Sequence, residues 1–190
     1  MKAMKYHDYI WDLGGTLLDN YETSTAAFVE TLALYGIRQD HDSVYQALKV
    51  STDFAIETFA PNLEHFLEKY KENEARELEH PILFDGVSDL LGDISNQGGR
   101  HFLVSHRNNQ VLEILEKTSI AAYFTEVVTS NSGFKRKPDP ESMIYLREKY
   151  QIDSGLVIGD RPIDIEAGQA AGLDTHLFTS IVNLRQVLDM

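Results

Sequence analysis

GLVIGDRPIDIEAGQAAG, residues 155–172, is the stretch on which the fold turns. Residues 155–158 form a short apolar run, and Gly159-Asp160 closes it with a turn signal. A run of that length and texture reads as a buried strand. Pro162 suits the first turn of a helix, where its missing N–H has no partner to lose. Residues 163–171 then read as that helix. The segment is therefore a strand, a loop carrying the carboxylates of Asp160 and Asp164, and a helix. The same alternation extends outward in both directions. Downstream come a strand over 175–178 and a short final helix. Upstream come a helix over 140–150, a strand over 126–129, a helix over 109–118, a strand over 101–104 closed by Ser105, and a helix over 86–96 ended by Gln97-Gly98-Gly99. Strand and helix in strict alternation predict a parallel sheet with right-handed crossovers.

Before Pro81 the texture differs. The first apolar run, Tyr9-Ile10-Trp11, ends at Asp12, and Gly14-Gly15-Thr16 supplies the turn. This is a short buried strand. From 21 to 35 apolar residues recur at helical spacing, at Ala27, Phe28, Leu32, Leu34 and Tyr35, with Gly36 as a C-terminal cap. Two further helical stretches cover 41–59 and 62–79, split by Pro61. Residues 20–80 thus hold helices and no strand. The first strand is expected to join the sheet formed after Pro81, and the helical block to be an insertion packed as a cap. The expected division is a core of residues 1–19 and 81–190 and a cap of residues 20–80.

Composition narrows the chemistry. The 190 residues include no cysteine, which removes disulfides, thiolate metal sites and a thiol nucleophile. A formal net charge of −13 speaks against nucleic acid or anionic lipid as a general partner. No apolar run approaches the ~18 residues a membrane helix needs. The opening MKAMKYHDYIWD is too mixed for a secretory signal, so a cytoplasmic location is expected. An acidic chain repels phosphate as well, so any phosphate site must contain a local positive patch. Nothing in the sequence sets an oligomeric state.

Open parallel sheets bind ligands beyond the carboxyl ends of their strands. Asp12, Ser105 and Asp160 all stand at predicted strand ends and should converge there. Each has an ordinary reading too: Asp12 as a turn residue, Ser105 as a helix cap, Asp160 and Asp164 as helix N-terminal charges. The segment Lys135-Arg136-Lys137-Pro138-Asp139-Pro140 is the dense basic cluster of the chain. It is either a solvated loop or the positive patch, and Lys137, fixed beside Pro138 at a helix entrance, is the best candidate to meet a carboxylate and a phosphate. Asp12 with Asp160 would suit a hard cation such as Mg²⁺.

Taken together and in this order, WDLGGTLLD (11–19), FLVSH (102–106), KRKPDPE (135–141) and VIGDRPIDIEAGQAAG (157–172) resemble the haloacid dehalogenase-like hydrolases. That family places D-x-D-G-T after its first strand, a Ser or Thr after the second, a Lys before a helix, and G-D-x-x-x-D on a later strand. The helical block matches the cap of its phosphoglycolate phosphatase, phosphonatase and β-phosphoglucomutase-like branch. The resemblance implies an α/β fold, with a Rossmann-like parallel-sheet core and an α-helical cap inserted after the first strand. It implies that Asp12 is a nucleophile forming an aspartyl-phosphate, and that Mg²⁺ is held by Asp12, the carbonyl of Gly14 and Asp160, with Asp164 in support of the metal or of Lys137. Ser105 and Lys137 would bind phosphate oxygens. Thr16, His106, Arg107 and Lys49 complete the substrate-binding candidates, and a small phosphorylated metabolite is the implied partner.

One position departs from the pattern. The family's phosphatases carry a second aspartate two residues past the nucleophile, which protonates the leaving alcohol and then activates water against the aspartyl-phosphate. Here that residue is Gly14. General acid–base help contributes about 10²–10⁴ in rate, so its loss bears on substrate class. Four readings stay open: a phosphatase whose leaving group needs no proton, a phosphatase with another proton carrier such as His106, a phosphonatase-like enzyme using Lys49 as a Schiff-base lysine, or a scaffold that only binds a phosphorylated ligand or a protein.

Overall fold

A computed structural model describes residues 4–190. In chain order the elements are β1 (Asp8–Trp11), α1 (Asn20–Leu34), α2 (His41–Val50), α3 (Thr52–Phe59), α4 (Phe66–Glu77), α5 (Val87–Asn96), β2 (Arg100–Val104), α6 (Gln110–Lys117), β3 (Phe124–Val128), α7 (Glu141–Tyr150), β4 (Gly155–Gly159), α8 (Pro162–Ala170), β5 (Asp174–Leu177) and α9 (Ile181–Leu188). They fall into two units. One runs up to Leu18 and resumes at Leu83, and the other is Asp19–Ile82. Among the described residues, no helix is long and apolar enough to cross a membrane.

The first unit is α/β. Its five strands are all parallel, in the order β3-β2-β1-β4-β5. β1 lies between β2 and β4, which explains why it is apolar on both faces: Tyr9, Ile10 and Trp11 are each at most 1% exposed. Successive side chains then serve opposite layers. Tyr9, Trp11, Leu103, Leu156 and Ile158 pack with α5, α6 and α9. Ile10, Phe102, Val104 and Val157 pack with α7 and α8. The chain builds β2 and β3 on one side of β1, then returns to place β4 on the other. The order therefore reverses between β1 and β4, and a ligand crevice opens at such a reversal.

One polar group is buried in the first layer. His101, fully buried in β2, accepts from the Trp11 indole N–H at Nδ1 (3.0 Å) and donates from Nε2 to the Leu91 carbonyl (3.0 Å). Both ring nitrogens are thus satisfied by the neutral tautomer. Burial pushes the pKa of His101 down to about 4.

The second unit is helical. Phe28 of α1 meets Phe66 and Tyr70 of α4 edge-on, with ring centroids 4.9 and 5.2 Å apart, at the centre of a core completed by Leu32, Val44 and Leu48. Its helices differ from the sequence expectation in two places. The single helix expected over 41–59 is two, because Ser51 is extended (φ −170°, ψ 162°) and its Oγ accepts from the Phe54 N–H at 2.9 Å, capping α3. The stretch expected from 62 begins at Phe66, because Asn62 and His65 take left-handed φ values of 64° and 58°. In the first unit, β3 starts at Phe124, two residues before the expected 126.

Candidate active site

Asp12 follows β1 directly, and its N–H donates to the Ile158 carbonyl of β4 at 2.9 Å. Ser105 follows β2, with its N–H on the Val128 carbonyl of β3 at 2.9 Å. Trp11 pairs in register with both Leu103 and Ile158, so the ends of β1, β2 and β4 lie level. Asp12, Ser105 and Asp160 consequently stand along one edge of the sheet. Two glycines allow this edge to crowd. Gly15 has φ +78°, and a Cβ there would fall 2.2 Å from Asp160 Oδ2. A Cβ on Gly159 would fall 2.4 Å from the side chain of Asp164. Both Asp160 and Asp164 sit where they do because those neighbours lack side chains.

Lys137 enters from the loop between β3 and α7. Its Nζ donates to Asp12 Oδ1 (2.9 Å), Asp164 Oδ1 (2.5 Å) and the Val104 carbonyl (3.1 Å). Those three acceptors use all three ammonium protons of a residue only 5% exposed. At its other end, the Lys137 backbone N–H donates to His106 Nε2 at 2.8 Å. Asp164 also accepts from the Arg161 N–H through Oδ2 (3.2 Å), which fixes the start of α8.

The electrostatics are unbalanced. Asp12, Asp160 and Asp164 each offer an oxygen within 4.8 Å of the others, against the single ammonium of Lys137. Burial, and after it the charge of Asp12, pushes the Asp160 pKa above the usual carboxylate range. The same two causes raise Asp164, with Lys137 opposing them. Asp160 Oδ1 is buried without a hydrogen-bond partner among the described residues. Two surplus negative charges and a buried carboxylate oxygen lacking a donor suit a hard divalent cation, whose ligands are oxygens. These three carboxylates could hold one.

The remaining candidates are placed as follows. Ser105 is buried, and its Oγ accepts from the Arg107 N–H at 3.2 Å. It does not cap α6, whose N-cap is Asn109. Thr16 is fully buried, and its Oγ1 has no partner among the described residues. Gly14 is half-buried with a φ outside the left-handed region. Arg107 is half-buried, and its carbonyl accepts from the Ser130 N–H at 2.9 Å. The pKa of His106 is pushed down to about 4 by burial, then by the charges of Lys137, Arg136 and Arg161. At neutral pH this ring is uncharged, with Nε2 accepting. A neutral ring whose Nε2 is already engaged by the Lys137 N–H is poorly suited to the proton-donor role that Gly14 leaves open. Lys49 lies in the other unit, exposed near the end of α2, with its Nζ 5.8 Å from the centre of the Tyr45 ring. Sequence reasoning overlooked Gly15, Gly159 and the Val104 carbonyl. Gly159 directly before Asp160, and Gly15 three residues past Asp12, were the available signals for the first two.

The model of the haloacid dehalogenase-like hydrolase family matches residues 9–178. The chain belongs to the haloacid dehalogenase-like hydrolases. Within the family it is similar to a hydrolase from Streptococcus pneumoniae TIGR4, whose crystal structure is 94% identical, covers 98% of this chain and 100% of that chain, and superposes with a TM-score of 0.96. It is 28% identical to a phosphoglycolate phosphatase from Vibrio parahaemolyticus serotype O3:K6 (strain RIMD 2210633), over 85% of this chain and 78% of that protein. It is 25% identical to the pyrophosphatase PpaX of Oceanobacillus iheyensis (strain DSM 14371 / CIP 107618 / JCM 11309 / KCTC 3954 / HTE831), over 90% of this chain and 83% of that protein. In this haloacid dehalogenase-like hydrolase, Asp12, Asp160 and Asp164 each offer an oxygen within 4.8 Å of the others, and Gly14 offers no side chain.

Proposed function

We propose that this hydrolase is a Mg²⁺-dependent phosphatase of a small phosphorylated metabolite, with Asp12 as the covalent nucleophile. The observation that carries the reading is the meeting of Asp12, Asp160 and Asp164, with Lys137 on the first and last of them and one buried oxygen of Asp160 left without a donor. The phosphatase names of two relatives support it. Asp12, Asp160 and the Gly14 carbonyl would hold Mg²⁺, which when bound offsets the charge of the phosphoryl oxygens. A carboxylate oxygen of Asp12 attacks phosphorus as the bond from phosphorus to the leaving oxygen breaks. Water then cleaves the aspartyl-phosphate, returning the carboxylate and releasing inorganic phosphate. Lys137 orients Asp12 and places its positive charge beside the transferred group, while Ser105 holds phosphoryl oxygens.

Gly14 gives the first step no side chain from which a leaving alkoxide could take a proton. The reading therefore favours substrates whose leaving group departs unprotonated, such as acyl phosphates, over alkyl esters. Asp19–Ile82 is assigned the choice of substrate, as the helical cap. The implied setting is the cytoplasm, without nucleic acid or membrane as partner.

Turnover of acetyl phosphate and p-nitrophenyl phosphate with Mg²⁺ tests the proposal. Asp12→Asn should lower it by at least about 10³-fold, the scale of losing an essential catalytic group. Full activity in that variant would remove Asp12 as nucleophile. Metal binding has a separate readout: Mg²⁺ should raise the melting temperature of the wild type and not of Asp160→Asn, since only a ligand of the native state stabilises it.

A further inference from the structure

Lys137 is gripped at both ends by the same strand terminus. Its ammonium lies on the Val104 carbonyl, and its backbone N–H lies on the ring of His106, two residues further along. Between these anchors the side chain has one reach to Asp12 Oδ1 and Asp164 Oδ1. The residues on either side of Lys137 are exposed: Lys135, Arg136 and Pro138 all face solvent, and the nearest packed side chain before it is Phe134, on Tyr145. Without the His106 contact, the backbone of Lys137 would depend on those exposed neighbours for its position.

We propose that His106 is a positioning residue, a neutral imidazole that holds the backbone of Lys137 so that its ammonium stays on Asp12. It is assigned neither proton transfer nor a phosphate contact. The assignment presupposes the phosphatase reading of Asp12. Accepting at Nε2 requires the tautomer with its proton on Nδ1. Protonation would remove the acceptor and set a fourth cation among Lys137, Arg136 and Arg161, whose charges all disfavour it. A misplacement of about 1 Å in a catalytic group can lower a rate 10²-fold, so a contact outside the reacting atoms is sufficient for the effect.

Two variants and one spectrum test this. His106→Leu fills similar space and cannot accept, whereas His106→Gln can present an amide oxygen near the place of Nε2. His106→Leu should lower kcat at least tenfold on acetyl phosphate and on an alkyl phosphate alike, because Lys137 serves the transferred group in both. His106→Gln should recover most of that loss. Nitrogen-15 spectra of the wild-type ring, assigned by the missing signals of His106→Gln, should show the Nδ1–H tautomer at pH 7. Selective loss of the alkyl phosphate would make His106 a proton carrier and overturn the proposal. So would an unchanged rate in His106→Leu, a Gln variant as impaired as the Leu variant, or a ring protonated at pH 7. A wild type inert toward every phosphate would instead sink the phosphatase reading, and the tautomer would still decide whether His106 holds Lys137. Should His106→Leu fail to fold, the Gln variant and the wild-type spectrum remain decisive.

Discussion

Gly14 lies two residues beyond Asp12 with an ordinary backbone φ, so a side chain there meets no left-handed strain. Gly14→Asp should therefore fold, and it should raise kcat on alkyl phosphates at least tenfold while changing acetyl phosphate turnover little. The expectation follows from the ~10²–10⁴ that acid–base help contributes and from the unprotonated departure of a carboxylate. No rise on alkyl phosphates, in a variant that folds and binds Mg²⁺, would argue that protons already arrive by another route, and an equal rise on both substrates would place the gain in the shared hydrolysis of the aspartyl-phosphate. Gly159 behaves oppositely. A methyl group at 2.4 Å from Asp164 forces that carboxylate off Lys137. Gly159→Ala should lose about 1–3 kcal/mol, as overpacked sites do, together with most turnover. Denaturant unfolding and steady-state kinetics check the two effects separately. Asp12, Lys137, Asp160 and Asp164 could be expected to meet because each sits at a strand end or a Pro-marked helix entrance. The His106 contact could not, since it joins a ring to a backbone N–H 31 residues away. No local pattern encodes that distance.

At the scale of elements, the strands were readable wherever burial on both faces makes a run wholly apolar. β4 is such a run, β1 is one from Tyr9 to Trp11 after the buried Asp8, and Pro162 opens α8 as its chemistry demands. The helical stretches were readable in existence and less so in their breaks. Ser51-Thr52 lies within an otherwise helical pattern, and serine and threonine interrupt a helix only when the side chain turns back to cap the next turn. Asn62 and His65 take left-handed values, which their residue types tolerate better than most, so the signal that delays α4 to Phe66 was present but weak. Ser51 provides a test. Its Oγ accepts the Phe54 N–H, and removal of such a cap costs about 1 kcal/mol. Ser51→Ala should lower the melting temperature by about 2–4 °C in a chain of this length. A change under 1 °C would mean that α3 does not depend on this cap.

Across the whole molecule, acid should act on the buried His101. Its native pKa of about 4 lies below the ordinary value of 6.5, so the native state refuses a proton that the unfolded chain accepts. The contribution is complete above pH 6.5 and is lost as pH falls toward about 4. Its full size is about 3 kcal/mol, at ~1.4 kcal/mol per pKa unit. Asp160 and Asp164, whose pKa values are raised, work the other way in metal-free protein, because their protonation relieves native repulsion. Comparison with His101→Leu isolates the histidine. That variant should be less stable at pH 7, where the Trp11 N–H and the Leu91 carbonyl lose their partner, and the two stabilities should converge between pH 6.5 and 4.5. Parallel curves would show that His101 is not held neutral. The strand order has a consequence for how the chain is made. β1 is made before both of its neighbours, of which β2 begins at Arg100 and β4 at Gly155. The helices of Asp19–Ile82 can condense from contacts close in sequence while synthesis continues. The first strand cannot. It waits with Tyr9, Ile10 and Trp11 uncovered until β4, which begins at Gly155, has been made, so the strand that ends at Asp12 needs protection during translation.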